Sequence, residues 1–349
     1  MTTEEAKNHA EQVAAAWLAK QTEENTEIQK EIESLPAQNA SADEESAAAL
    51  IPVAIKKKTE EQKGEAGLKI ATGEVGHGTR IDQIVVPPKL KIRIDTKLPW
   101  WNACLSGDAP AKGATPTTVG LLTGTPGAGK TTMILQLAAA LASRDDTVVL
   151  FNSAEESVYQ VKMVCERLFK HWTQPPRFYI GEDRLVDDRN PDLNPQQKKQ
   201  VKLGNPPPSI FGHARKLARA NPGKFLFVLV DSLQAVDDGK YNGGFTNGGS
   251  PSRVMKLITN FCKQTYAIAL VIGRVNKSGE FSGRNEIIHD IDIHAHMKID
   301  TDEDSDTCGM RILEMRKNRF GFAGWAHVLK MKGTGLHEYG SKGTSTSTS

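Results

Sequence analysis

Eight consecutive residues, Gly124-Thr125-Pro126-Gly127-Ala128-Gly129-Lys130-Thr131, fit the spacing G-x-x-x-x-G-K-[ST] at every constrained position. Glycines at those places let backbone N–H groups close on phosphate oxygens, and a helix starting directly behind them adds the positive end of its dipole. Lys130 would bring a point charge to the β- and γ-phosphates, and the Thr131 hydroxyl, followed by Thr132, would reach a Mg²⁺ ion. The chemistry is binding of a nucleoside triphosphate, ATP with Mg²⁺. A glycine-rich turn at a helix start is the plain alternative, and the context speaks against it: 118–123 reads as a buried strand and 132–143 as an apolar helix.

Two carboxylate positions complete the set. The apolar run 225–230 ends in Asp231, at the strand edge where parallel sheets bind ligands, so Asp231 would hold Mg²⁺ together with Thr131. The run 147–151 is followed by Asn-Ser-Ala-Glu155-Glu156-Ser157. Glu155 is placed to orient and deprotonate an attacking water, with Glu156 as its support. Alternatively the pair caps the helix that starts near residue 158.

These groups need a sheet that brings several strand ends together. The runs 147–151, 225–230 and 268–272 are continuous rather than alternating, as expected for parallel strands buried on both faces. Helical stretches at 132–143, 158–170, 213–220 and 252–264 lie between them. A strand is expected at 90–94, a Trp100-Trp101 cover precedes the phosphate loop, and strands at 310–316 and 325–331 suggest an antiparallel extension. The fold class is α/β: a mostly parallel sheet flanked by helices, with that extension and a helical or disordered N-terminal leader.

The chain of 349 residues is 38% hydrophobic and 25% charged, which suffices for one large α/β domain plus appendages. We expect a helical leader at 1–36, a largely disordered linker at 37–88, the nucleotide-binding domain at 89–338 with a loop insertion at 183–210, and a disordered Ser/Thr tail at 339–349. Residues 4–35 carry a short heptad-like seam, either a packed or mobile surface helix or one that binds a protein partner or self-associates. No apolar run approaches the roughly 18 residues of a membrane span, no targeting segment is evident, and four scattered cysteines fit a reducing, cytoplasmic or nucleoid-associated setting. Net charge is +2, but residues 1–75 hold 15 Asp/Glu against 8 Lys/Arg, so the remainder is basic and suited to a polyanion.

Ser153-Ala-Glu-Glu-Ser157 with Gln160 and Lys162, Asp231-Ser-Leu-Gln234, Val275-Asn-Lys277-Ser-Gly279 and Lys317-Asn-Arg-Phe-Gly321 occur in the order seen in RadA/Sms-type ATPases. The chain resembles these RecA-fold recombination proteins, relatives of the DnaB-like helicases, from about residue 92 to 336. The resemblance implies a RecA-type P-loop core that assembles as a hexameric ring or filament. It also implies that Lys317 and Arg319 reach the γ-phosphate of a neighbouring subunit, worth roughly 10³–10⁵ in rate where such fingers operate. A basic turn facing solvent is the alternative. Gln234 would sense the γ-phosphate or be a buried amide.

Loops after the central strands are implied to line a channel for single-stranded or branched DNA. One spans 237–250 with five glycines, Lys240 and Tyr241; the other follows Arg274 and carries Lys277 and Arg284. Mobile glycine loops with sparse cations suit backbone contact without base readout. The family's zinc module and Lon-like domain have no counterpart in this sequence, and Arg274 stands where the family pattern has His. The expected activity is DNA-stimulated ATP hydrolysis by a helicase or translocase in recombination, repair or branch migration. A DnaB-like replicative helicase and a KaiC-like regulatory ATPase are the alternatives. A histidine- and aspartate-rich stretch at 289–296 resembles a metal cluster, but strand alternation favours a structural role.

Overall fold

The computed structural model describes residues 81–106, 112–169, 177–190, 192–242, 245–246, 249–275 and 285–343. The leader and its heptad-like seam lie outside them.

Helix α1 (Pro99–Ser106) precedes strand β1 (Val119–Gly124), every residue of which is buried, and α2 (Lys130–Ala142) follows. Next come β2 (Thr147–Ser153), α3 (Val158–Leu168), β3 (Phe178–Gly181), α4 (Pro195–Lys202), α5 (Ile210–Ala220) and β4 (Phe225–Asp231). A small hairpin, β5 (Tyr241–Asn242) with β6 (Phe245–Thr246), leads to α6 (Ser250–Thr265), β7 (Ile268–Ile272) and α7 (Asn285–Asp290). The chain closes with β8 (Ile293–Ile299), β9 (Arg311–Asn318), β10 (Trp325–Lys332) and β11 (Gly335–Gly343).

The main sheet has nine strands in the order β11-β10-β9-β8-β1-β7-β4-β2-β3. From β3 to β8 neighbours pair in parallel; β9, β10 and β11 pair antiparallel. Side chains on one face pack with α1 and α2, where Trp100 and Trp101 meet edge to face at 6.3 Å. The other face packs under α5 and α6, whose Phe211 and Phe261 rings stack at 4.2 Å. Burial on both faces explains the unbroken apolar runs. Among the described residues no helix is long and apolar enough to cross a membrane.

Several elements differ from the sequence reading. The strand expected at 90–94 is a 3₁₀ turn at Pro88–Lys91, because successive prolines fix φ and withhold donors, and only Ile94 bridges to Ala114. The insertion at 183–210 is not merely a loop: it contains α4, capped reciprocally by Asn194 and Gln197, and buries Leu185, Val186 and Leu193. Strand β11 runs through 335–343, into the stretch expected to be tail.

His294 and His296 lie on the same face of β8, as the period of two requires. Both converge on the Thr123 hydroxyl, at 2.8 Å from His294 Nε2 and 2.9 Å from His296 Nδ1. One hydroxyl has a single proton, so it donates to one ring and accepts from the other while both rings are neutral. Burial, aided by nearby Arg316, pushes each imidazole from 6.5 down to about 4. Between those values the unfolded chain takes up protons that the folded chain refuses, so this contribution is complete above pH 6.5 and is lost as pH falls toward 4. Urea midpoints measured across that range should fall less steeply for a His294→Gln/His296→Gln variant than for wild type; equal slopes would mean that the rings titrate without cost to the fold.

Candidate active site

At the end of β1 the chain reverses through the phosphate loop. The Thr125 N–H donates to the Met297 carbonyl at 3.1 Å, which pins the loop to β8. At Gly124 a Cβ would sit 2.1 Å from the Met297 oxygen, so no side chain fits there. Gly129, with φ of +100°, turns the loop left-handed at the start of α2. Lys130 Nζ folds back over the loop and donates to the carbonyls of Gly124 (2.8 Å) and Thr125 (3.0 Å), positions from which an incoming phosphate can recruit it. Its burial lowers the ammonium pKa, and the carboxylates of Asp231 and Glu155 oppose that shift.

Thr131 Oγ1 donates to Asp231 Oδ2 at 2.6 Å, joining the first turn of α2 to the end of β4. Burial raises the Asp231 carboxyl to about 6, with the Glu155 and Glu156 charges adding and the Thr131 bond opposing. A hydroxyl and a carboxylate that already touch are hard oxygen donors of the kind Mg²⁺ takes, and the residues therefore fit a Mg²⁺–nucleotide.

The register of β2 against β4 pairs Ser153 with Asp231, and the Ala154 N–H donates to the Asp231 carbonyl at 2.8 Å. That hydrogen bond delivers Glu155 to the residues after Asp231. Glu155 Oε1 accepts from Ser232, and Oε2 pairs with Arg274 at 2.9 Å. The Gln234 side-chain carbonyl in turn accepts the Arg274 N–H at 3.1 Å. Burial would raise the Glu155 carboxyl, but Arg274 and Ser232 outweigh it and hold the group below the ordinary carboxylate range. Helix α3 does not use either glutamate as its cap: Ser157 and Gln160 form the capping box, and Glu182 accepts the Val158 N–H. Glu156 is exposed, its N–H donating to Ser153 Oγ at 3.1 Å.

Lys317 and Arg319 stand toward the opposite end of β8 from the phosphate loop. Gly124 pairs with Met297 of β8, whereas Lys317 pairs with His294, toward the start of that strand. The two pairing positions are three residues apart on β8, a span of about 10 Å along the strand at about 3.3 Å per residue. Both cations are held locally. Lys317 Nζ donates to the Ile288 carbonyl at 2.5 Å; Arg319 pairs with Asp292 at 3.2 Å and donates to the His289 carbonyl at 2.9 Å.

Of the residues expected to face DNA, Lys240 is half exposed with Asp192 at 3.9 Å, and Tyr241 opens β5. The guanidinium of Arg274 turns to Glu155, while Lys277 and Arg284 lie outside the described residues. Sequence reasoning missed Ser232 as a partner of Glu155. The serine follows Asp231 directly in the sequence, but its target depends on the β2–β4 register.

A sequence family described as an AAA domain matches residues 111–280. The DNA repair protein RadA of Listeria monocytogenes is 27% identical over 271 residues, 76% of this chain and 49% of that protein. RadA of Halalkalibacterium halodurans is 29% identical over 250 residues, covering 70% of this chain and 45% of its own. The chain thus spans about half the length of the curated relatives it matches. Among solved structures, a DnaB-like replicative helicase described with primase superposes with a TM-score of 0.51 at 15% identity, covering 64% of this chain and 58% of that one. A KaiC-like protein from Pyrococcus horikoshii gives 0.50 at 13% identity, covering 71% and 99% respectively. At such identities the structural matches speak for the fold alone.

Glu155→Gln should retain nucleotide binding, read by a fluorescent ATP analogue, and lose about 10²–10⁴ in single-turnover hydrolysis. Lys130→Ala should lose both. Near-normal hydrolysis by Glu155→Gln would remove it as the base.

Proposed function

We propose that this chain, a RadA-like ATPase of the RecA/DnaB superfamily, hydrolyses ATP between neighbouring copies of itself and couples turnover to movement on single-stranded or branched DNA in repair or recombination. The observation that carries the reading is the joined cluster Thr131–Asp231 and Ser232–Glu155–Arg274, set against a cationic turn held at the start of β8, three residues from the position that meets the phosphate loop. Sequence likeness to proteins named for DNA repair supports the DNA role.

In this mechanism the N–H groups of Gly127–Lys130 and the Lys130 ammonium bind the triphosphate, and Thr131 and Asp231 hold the cation. Bound Mg²⁺ supplies neutralisation of charge on the β- and γ-phosphate oxygens. Glu155 orients the attacking water and takes its proton, with Glu156 as its support, while Ser232 and Arg274 fix the carboxylate. Gln234 ties the end of β7 to the same cluster and senses the γ-phosphate. Lys317 and Arg319 of the adjacent copy leave their carbonyl partners and stabilise the transferring charge, which requires a hexameric ring or a filament. Loops after β4 and β7, with Lys240, Tyr241, Lys277 and Arg284, carry the DNA strand, and residues 4–35 attach a protein partner. A KaiC-like nucleotide-cycling role is the second reading, prompted by the adjacent glutamates Glu155 and Glu156.

ATP hydrolysis measured with and without single-stranded DNA, with Lys130→Ala as blank, decides between them. Strong stimulation is expected; hydrolysis indifferent to DNA supports the regulatory reading. Arg319→Ala should bind ATP and lose about 10³-fold or more in turnover. Mixing Arg319→Ala with Lys130→Ala should restore part of the activity, because one interface in the mixture then has an intact phosphate loop and an intact finger. No recovery on mixing, with co-assembly shown, would place the finger elsewhere.

A further inference from the structure

The segment 183–203 is close to neutral by sequence, with four acids (Asp183, Asp187, Asp188, Asp192) and five cations (Arg184, Arg189, Lys198, Lys199, Lys202). The fold sorts these charges. Asp183 turns toward His213 of α5 at 2.8 Å, and Asp187 and Asp188 turn toward Arg215 at 2.8 and 2.9 Å, leaving the three side chains only 10–13% exposed. All five cations stay on the surface. Asp192 is the one acid of the segment left outward, 3.9 Å from Lys240.

The position of this cationic surface is fixed as firmly as its charge. Leu185 bridges to Asp237, Val186 N–H donates to the Asp237 carbonyl at 3.0 Å, and Asn190 donates to the Asp238 carbonyl at 2.6 Å. Asp238, fully buried, is gripped in turn by Arg253 and Ser250 of α6. Gly239 lies against α4 so closely that a Cβ there would meet Gln197 Oε1 at 3.1 Å and Leu193 at 2.7 Å. Helix α4, with Lys198, Lys199 and Lys202 outward, is therefore bolted beside the point where the glycine-rich loop leaves the sheet.

We propose that the α4 lysines bind the phosphate backbone and extend the single-strand path beyond the glycine loop, so that the insertion is part of the nucleic-acid surface of this chain. The inference rests on the DNA reading above and adds an element that reading does not include. Charge complementarity selects the occupant: a helix of eight residues bearing three cations and no acid faces a polyanion, and flexible lysines on phosphates give affinity without base readout.

The test is binding of a fluorescent oligothymidine strand by the full chain across a salt series. The proteins are wild type, the triple variant Lys198→Gln/Lys199→Gln/Lys202→Gln and the matching triple arginine variant, with unfolding midpoints confirming the fold of each. Each phosphate that is no longer neutralised takes about 0.7 from the log–log salt slope, so the glutamine variant should drop by about 2 in slope and about tenfold or more in low-salt affinity. The arginine variant should restore both. If wild type binds and the glutamine variant binds with unchanged slope and affinity, the role of α4 is overturned while the DNA reading stands. If wild type itself does not bind the strand, both fail together.

Discussion

The parallel ladder between β2 and β4 is the constraint on which the site depends. Its last hydrogen bond, Ala154 N–H to the Asp231 carbonyl, sets the Asp231 and Glu155 carboxylates at neighbouring strand ends. A slip of one residue would turn every side chain of a strand to the opposite face. Asp231 would then no longer meet Thr131, and Glu155 would lose Ser232. Apolar packing on both faces of β2 and β4 makes such a slip expensive, so the buried core and the polar site are enforced by the same registers.

The antiparallel extension carries the cationic turn. Strand β8 gives its Met297 carbonyl to the phosphate loop at one end and, at the other, pairs with the part of β9 that carries Lys317. Asn318 locks that turn by donating to the Leu105 carbonyl at 2.8 Å, and Gly321 approaches the same carbonyl too closely for a side chain. A rigid sheet thus separates the phosphate loop from the cationic turn by a fixed span. The far edge is tied as well: Gln136 of α2 exchanges two hydrogen bonds with Leu336, holding β11 against the helix that bears Lys130 and Thr131.

Electrostatics follow from tertiary sorting rather than from local composition. Arg274 sits where the sequence suggests a loop cation, yet its charge is directed at Glu155 and keeps that carboxylate ionised against burial. Asp183, Asp187 and Asp188 dilute the charge of their segment in the sequence and leave its surface cationic in the fold.

The sequence by itself determined the phosphate loop, the α/β class, the buried strands and the carboxylates at their ends. These rest on short-range chemistry: glycine geometry, continuous apolar runs, and a motif whose spacing is its mechanism. Strand 268–272 emerges as Ile268–Ile272 for that reason. What only the tertiary structure decided are interactions between residues far apart in the chain. Ser232 and Arg274 meet Glu155 from two other strands, Thr123 bridges two histidines more than 170 positions away, and α4 docks on Gly239. Local propensity was also overruled where edge pairing with β10 carried β11 through Gly343. Pairing partners, not residue types, fix these features, and a linear pattern does not carry the identity of the partner.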